Sequence, residues 1–141
     1  MTETTLTIPD LSGKAVLITG ASTGIGAALA RAFAAQGALV GLHYNSSVEA
    51  AERLADEIRD AGGIVHLSRG DAARSAEMAR VVEETAAALG RLDGLINNAG
   101  GMVARVPYQE MTDEHYDAVM DLNARSVLAA STAAIPHLKA S

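Results

Sequence analysis

Short unbroken apolar runs alternate along this chain with stretches in which apolar positions recur about every 3.6 residues. Ala15-Val16-Leu17-Ile18 has no polar member, the pattern of a strand covered on both faces. Ile25, Ala28, Leu29, Ala32 and Phe33 follow at helical spacing, and Gly37 stands where that helix should end. The alternation repeats. Ala38 to Leu42 reads as a strand, Val48, Ala51, Ala55 and Ile58 as its helix, and Gly62-Gly63 as the stop. Ile64 to Leu67 is followed by Met78, Val81, Val82 and Leu89, then Gly90. Leu92 to Ile96 leads through a glycine-rich turn to a long helix starting near Thr112, whose hydroxyl suits an N-cap.

Four strand–helix cycles are what parallel crossovers require, and right-handed crossovers build a doubly wound α/β sheet. The expected strand order is 3-2-1-4 within one domain over residues 1–141, with the fourth strand left as an open edge. An α+β domain of unrelated topology would not alternate its two periods so regularly. Val127 to Leu138 is apolar nearly all round, relieved by Ser131, Thr132, Pro136 and His137. A helix of that kind needs cover on every side, and these residues are expected to lack the partners that would supply it. The chain reads as an incomplete sheet, or as one protomer of an assembly formed through a helix over 112–140.

Composition narrows the function. A chain of 141 residues is one domain, and 49% hydrophobic residues suffice for a real core. Four aromatics stand against 29 alanines, so that core must be aliphatic and close-packed. Eleven basic and 17 acidic residues give a net charge of −6, which opposes a nucleic-acid or anionic-membrane surface. The lack of cysteine removes disulfides, thiol catalysis and cysteine-based zinc sites. His43, His66, His115 and His137 form no metal-ligand pattern, so no metal is expected. Nowhere do about 18 apolar residues run together, and Met1 to Pro9 has no basic flank before an apolar stretch. The expectation is a soluble cytoplasmic domain.

The strongest local signal is Thr19-Gly20-Ala21-Ser22-Thr23-Gly24-Ile25-Gly26, which follows a buried strand and opens a helix. Glycines there permit a tight turn and close backbone approach, while free amides and the helix dipole favour a phosphate. The spacing is Gly-x-x-x-Gly-x-Gly rather than Gly-x-Gly-x-x-Gly, and such a turn could also serve packing alone. Asn97-Asn98-Ala99-Gly100 falls at the carboxyl end of the fourth strand, where ligands of doubly wound sheets bind. In isolation these are ordinary turn residues. Asp71 lies at the same sheet edge and by itself reads as a capping carboxylate.

Together, in this order and spacing, the glycine turn, Asp71-Ala72, Asn97-Asn98-Ala99-Gly100 and a long helix carrying Asn123 resemble the short-chain dehydrogenase/reductase family. The similarity is greatest to its 3-oxoacyl-carrier-protein-reductase-like members. It covers essentially all of this chain and the N-terminal half or so of a family member. The resemblance implies a Rossmann-like domain and hydride transfer between a nicotinamide cofactor and a small-molecule carbonyl or alcohol. It implies that Gly20, Ser22, Thr23, Gly24, Ile25 and Gly26 hold the pyrophosphate and its neighbouring ribose. Asp71 and Ala72 would contact the adenine, and Asn98, Ala99 and Gly100 would follow the adenosine ribose and the central cofactor path. Asn123 would kink its helix and order a water in a proton relay.

The family's chemistry also needs a serine and a Tyr-x-x-x-Lys pair, the lysine lowering the tyrosine pKa. Here Tyr44, Tyr108 and Tyr116 are followed four positions on by Val48, Thr112 and Met120, so no such pair exists. The serine is expected on a fifth strand, beyond Ser141. The chain alone is therefore expected to be inactive. A non-catalytic dinucleotide-binding or oligomerising module is the competing reading. At the end of the second strand, Tyr44, Asn45 and Ser46 present no carboxylate to bind an NAD ribose, and the usual arginine is missing too. That turn favours NADP over NAD.

Overall fold

The computed structural model describes residues 6–141; the first five residues of the Met1 to Pro9 leader, where no signal sequence is expected, lie outside them. Four parallel strands form one sheet: β1 (Ala15–Ile18), β2 (Leu39–Tyr44), β3 (Ile64–Arg69) and β4 (Gly94–Ile96), ordered β3-β2-β1-β4. β1 is central and wholly buried, as its unbroken apolar run requires. Its register sets Ala15 beside Leu39 and Ile18 beside both Leu42 and Ile96. β4 pairs with β1 alone among the described strands, so its other edge is open.

Side-chain alternation along β1 divides the core into two layers. Val16 and Ile18 face α1 (Gly24–Ala35) and α2 (Val48–Asp60), where Ala30, Leu54 and Ile58 pack. Leu17 faces α3 (Ser75–Leu89) and α5 (Ser126–Ala140), among Met78, Val81, Leu92 and Ala134. Helices on both sheet faces complete the doubly wound α/β arrangement expected from the alternation of periods. Gly90 ends α3 with φ +76°, the left-handed stop that glycine adopts without strain.

Several boundaries and one helix face differ from the sequence reading. β2 and β3 each run two residues further, to Tyr44 and Arg69, because the apolar criterion stopped each strand at its last apolar residue before a polar pair or turn. β4 is shorter than Leu92 to Ile96; Leu92 is buried just before it. In α1 the buried positions are Gly26, Ala27 and Ala30, whereas Ile25 is 75% exposed. The helix lies close against the sheet at small residues, since a Cβ on Gly26 would overlap the Gly20 carbonyl oxygen. Side-chain size was the wrong guide there.

Thr112 caps α4 (Asp113–Met120), its hydroxyl accepting from the His115 amide at 3.2 Å. A π-helical turn over Asp121–Arg125, which contains Asn123, joins α4 to α5. Among the described residues α5 is covered on one side only. Ser126, Ala130 and Ala134 pack inward, while Val127, Leu128 and Ile135 are exposed. No helix among the described residues is long and apolar enough to cross a membrane.

Candidate functional site

The carboxyl ends of the strands open into a cleft of about 470 Å³. Three turns wall it: the glycine turn after β1, residues 44–47 after β2, and Asn98 to Gly100 after β4. Ala72, after β3, and Leu122 of the π-helical turn close it. Parallel strands bring all these turns to one edge, although they are far apart in sequence.

The glycine turn is shaped by backbone conformation. Gly20 and Gly24 have φ of +63° and +56°, a region that favours glycine. A Cβ on Gly20 would meet the Ala99 Cα at 2.9 Å, so Gly20 lets the β1 and β4 turns approach each other. A Cβ on Gly24 would meet nothing within 4 Å. Thr23, the residue before α1, makes no side-chain cap, which leaves the first amides of the helix without a protein acceptor from that residue. The arrangement is a concave, amide-rich surface at the positive end of a helix dipole, suited to a phosphate group.

Asn98 anchors the facing turn. Its Nδ2 donates to the carbonyls of Thr19 at 3.0 Å and Gly20 at 2.9 Å. Asn97 points elsewhere, donating to Ser131 Oγ of α5 at 3.2 Å. Asn123 sits in the widened π turn with its side chain committed. Nδ2 donates to Gly101 O at 2.7 Å and Val119 O at 2.8 Å, and Oδ1 accepts the Gly101 amide at 3.0 Å. A Cβ on Gly100 would meet that Oδ1 at 2.5 Å, so glycine at position 100 gives the amide room.

Most of the residues singled out in the sequence converge here. Gly20, Ser22, Thr23 and Ile25 line one wall, Tyr44, Asn45 and Ser46 the next, and Asn98, Ala99 and Gly100 the third. Gly24 shapes the turn, and Gly26 lies buried behind it. Ala72 reaches the cleft, but Asp71 lies beside it. Its Oδ1 accepts the Ala73 amide at 2.9 Å, its Oδ2 lies 3.6 Å from Arg74, and its own amide donates to Glu77. Among the described residues, no group of three His, Asp or Glu side chains is placed to hold a metal ion.

Two residues that sequence reasoning passed over stand out. His43, 1% exposed in β2, accepts the Gly20 amide at Nδ1 and reaches the Gly70 carbonyl at Nε2, both at 2.9 Å. Burial pushes its pKa below the usual histidine range, outweighing the Gly70 carbonyl. Arg69, at the end of β3, donates Nε to the Asn45 carbonyl at 2.9 Å. A guanidinium is thereby set beside the turn after β2. Only the pairing of β2 with β3 puts it there, so spacing from the glycine turn gave no signal.

A parallel sheet ordered 3-2-1-4, with helices on both faces and turns gathered at its carboxyl edge, defines a Rossmann-like α/β domain. Residues 14–141 match the short chain dehydrogenase family, and the chain belongs to it. It is 40% identical over 128 residues to an uncharacterized oxidoreductase of Methylorubrum extorquens, covering 91% of this chain and 51% of that protein. The chain spans about half the length of the curated relatives it matches. Among solved structures, the NADH-dependent reductase A1-R' complexed with NAD superposes with a TM-score of 0.87 at 43% identity. That match covers 94% of this chain and 55% of the reductase. A short chain dehydrogenase from Burkholderia cenocepacia in complex with NADP gives 0.87 at 38% identity, covering 91% and 52%.

Proposed function

We propose that this chain is the cofactor-binding half of an NAD(P)-dependent oxidoreductase that interconverts a carbonyl and an alcohol. The observation that carries the reading is Gly24. It holds φ +56° at the start of α1, beside space that no protein atom fills. A left-handed glycine before uncapped helical amides fits the close approach of a diphosphate. When bound, a nicotinamide cofactor supplies or accepts the hydride. In this reading the amides and hydroxyls from Gly20 to Gly26 hold the pyrophosphate, Asp71 and Ala72 flank the adenine, and Asn98 to Gly100 line the ribose. Asn123 is assigned the proton relay of the complete enzyme. The 141 residues hold no Tyr-x-x-x-Lys pair, so turnover is not assigned to them alone.

The preferred cofactor in this reading is NADP. No carboxylate occupies residues 44–47 to repel a 2′-phosphate, and Arg69 brings a cation to the Asn45 carbonyl. The exposed Val127, Leu128 and Ile135 of α5 are assigned to contact with a second copy, in keeping with an assembly through residues 112–140. We assign the protein to the cytoplasm and its substrate to small carbonyls or alcohols.

Thermal unfolding with and without nucleotide tests the cofactor reading. Saturation about 100-fold above Kd stabilises the native state by about 2.7 kcal/mol. NADPH is expected to raise Tm more than NADH at equal concentration. No shift with either would overturn the reading.

A further inference from the structure

Among the described residues, His43 is the histidine whose two ring nitrogens both meet backbone groups of the turns at the cleft. Nδ1 lies 2.9 Å from the Gly20 amide, so it accepts; Nε2 lies 2.9 Å from the Gly70 carbonyl, so it donates. Only the neutral ring protonated at Nε2 satisfies both. An imidazolium carries a proton on each nitrogen and would turn one toward the Gly20 N–H. The backbone of β2 adds to the tie. The His43 carbonyl accepts the Ala21 amide at 2.8 Å, and the Tyr44 carbonyl accepts the Gly70 amide at 2.9 Å. One ring thus links the glycine turn after β1 to the Gly70–Ala72 turn after β3, across the strand between them.

We infer that His43 is the positioning residue of this cleft: its neutral ring sets the spacing of the two turns, and protonation releases the glycine turn and weakens the ligand that the turn holds. The inference rests on the reading of the cleft as a nicotinamide-dinucleotide site. The charged groups that bear on the ring are Arg80 of α3, which disfavours protonation, and Asp71 of the turn after β3, which favours it. Residues 15–30 of β1, the glycine turn and α1, and residues 94–101 of β4 and its turn, bring no ionisable side chain. The ring is buried, so its protonation also requires the turn to open.

The test follows the ring and the turn separately from the ligand. In the full chain, ring ¹⁵N shifts of His43 and exchange of the Gly20 amide are measured from about pH 8 down to about pH 4, a range that extends below that in which an ordinary histidine titrates. Kd values for NADPH and NADH are measured over the same range. The expected result is the Nε2–H tautomer at high pH, Gly20 exchange that speeds with ring protonation, and affinity that falls at least ~10-fold in the same step. His43→Asn keeps one acceptor and one donor without a proton to gain, and its affinity should stay flat with pH. His43→Gln is the second variant should the first fail to fold.

A ring protonated at Nδ1, or a pH profile of affinity unchanged in both variants, would overturn the inference. Affinity that rises on acidification would overturn it too. If Gly20 exchange follows the ring but neither nucleotide binds at any pH, the dinucleotide reading fails while the ring's control of the turn stands.

Discussion

The Thr19 hydroxyl accepts the backbone amides of both Asn98 and Ala99 at 3.0 Å, and Asn98 returns its side-chain amide to the Thr19 carbonyl at the same distance. Thr19 is 2% exposed, and its hydroxyl also donates to the Ile96 carbonyl at 3.4 Å. The ends of β1 and β4 are therefore joined by side chains at the point where ladder pairing stops.

Thr19→Val tests this clamp. Valine matches the shape but leaves two amides without their acceptor, so stability should fall by about 1–3 kcal/mol in urea unfolding. Thr19→Ser should recover most of the loss. Equal stability of the valine variant would show that the clamp contributes nothing.

The two glycines at positions 24 and 26 should separate binding from folding. A side chain at Gly24 meets no protein atom, though its φ of +56° imposes strain of about 1–2 kcal/mol on any other residue. Gly24→Val should keep the fold and weaken NADPH by at least ~10-fold, or about 1.4 kcal/mol. Gly26→Ala should instead damage the fold, because its Cβ would overlap the Gly20 carbonyl. Circular dichroism with nucleotide titration distinguishes the two outcomes.

Arg69 should govern the choice between the two nicotinamide cofactors. Its removal in Arg69→Ala is expected to weaken NADPH by about 1.5–3 kcal/mol, the scale of a hydrogen bond involving a charged group. NADH affinity should hardly change. An equal loss for both cofactors would assign Arg69 to holding the Asn45 turn rather than to reading the 2′-phosphate.

Acid should reduce stability in two steps. Burial favours neutral His43 in the fold, so the unfolded chain takes up that proton first as pH falls below about 6.5. Stability therefore rises with pH through that range. Asp93 is held below the usual carboxylate range chiefly by Arg91, against the cost of burial and with help from the Ala15 amide. Its contribution is present above about pH 3.9 and is lost as pH falls further. His43→Asn should remove the first step and Asp93→Asn the second, as read by unfolding free energy against pH.

The 141-residue chain should self-associate and reduce no carbonyl substrate with NADPH. Exposed Leu128 lies on the same α5 face as exposed Val127 and Ile135, and Leu128→Asp should shift sedimentation toward the monomer. A stable monomer before substitution would contradict the contact, and measurable turnover would contradict the assignment of catalysis to the complete enzyme.

Much of the fold was legible because the two periods are strong signals in a domain with buried parallel strands. Ala15 to Ile18 could only be a central strand, and Gly37 and Gly90 marked the helix ends that their φ of +80° and +76° now explain. The phase of α1 was not legible. Ile25 looks like a core residue, but close approach of the glycine turn turns Ala27 and Ala30 inward and Ile25 toward the cleft. The all-round apolar stretch after Val127 likewise said that the helix needs more cover than this chain supplies, without saying which side the chain covers.

Local chemistry alone determined the glycine turn, the Thr112 cap, the strand–helix alternation and the absence of a Tyr-x-x-x-Lys pair, because each depends on residues within a few positions. The tertiary structure decided which distant residues share the cleft. Strand register carries His43 from β2 to Gly20 and Gly70, brings Arg69 from β3 to Asn45, and sets Asn98 against Thr19 across 79 positions of sequence. Those pairings are hydrogen bonds between chain segments, and their geometry exists only once the parallel sheet has set the order of its strands.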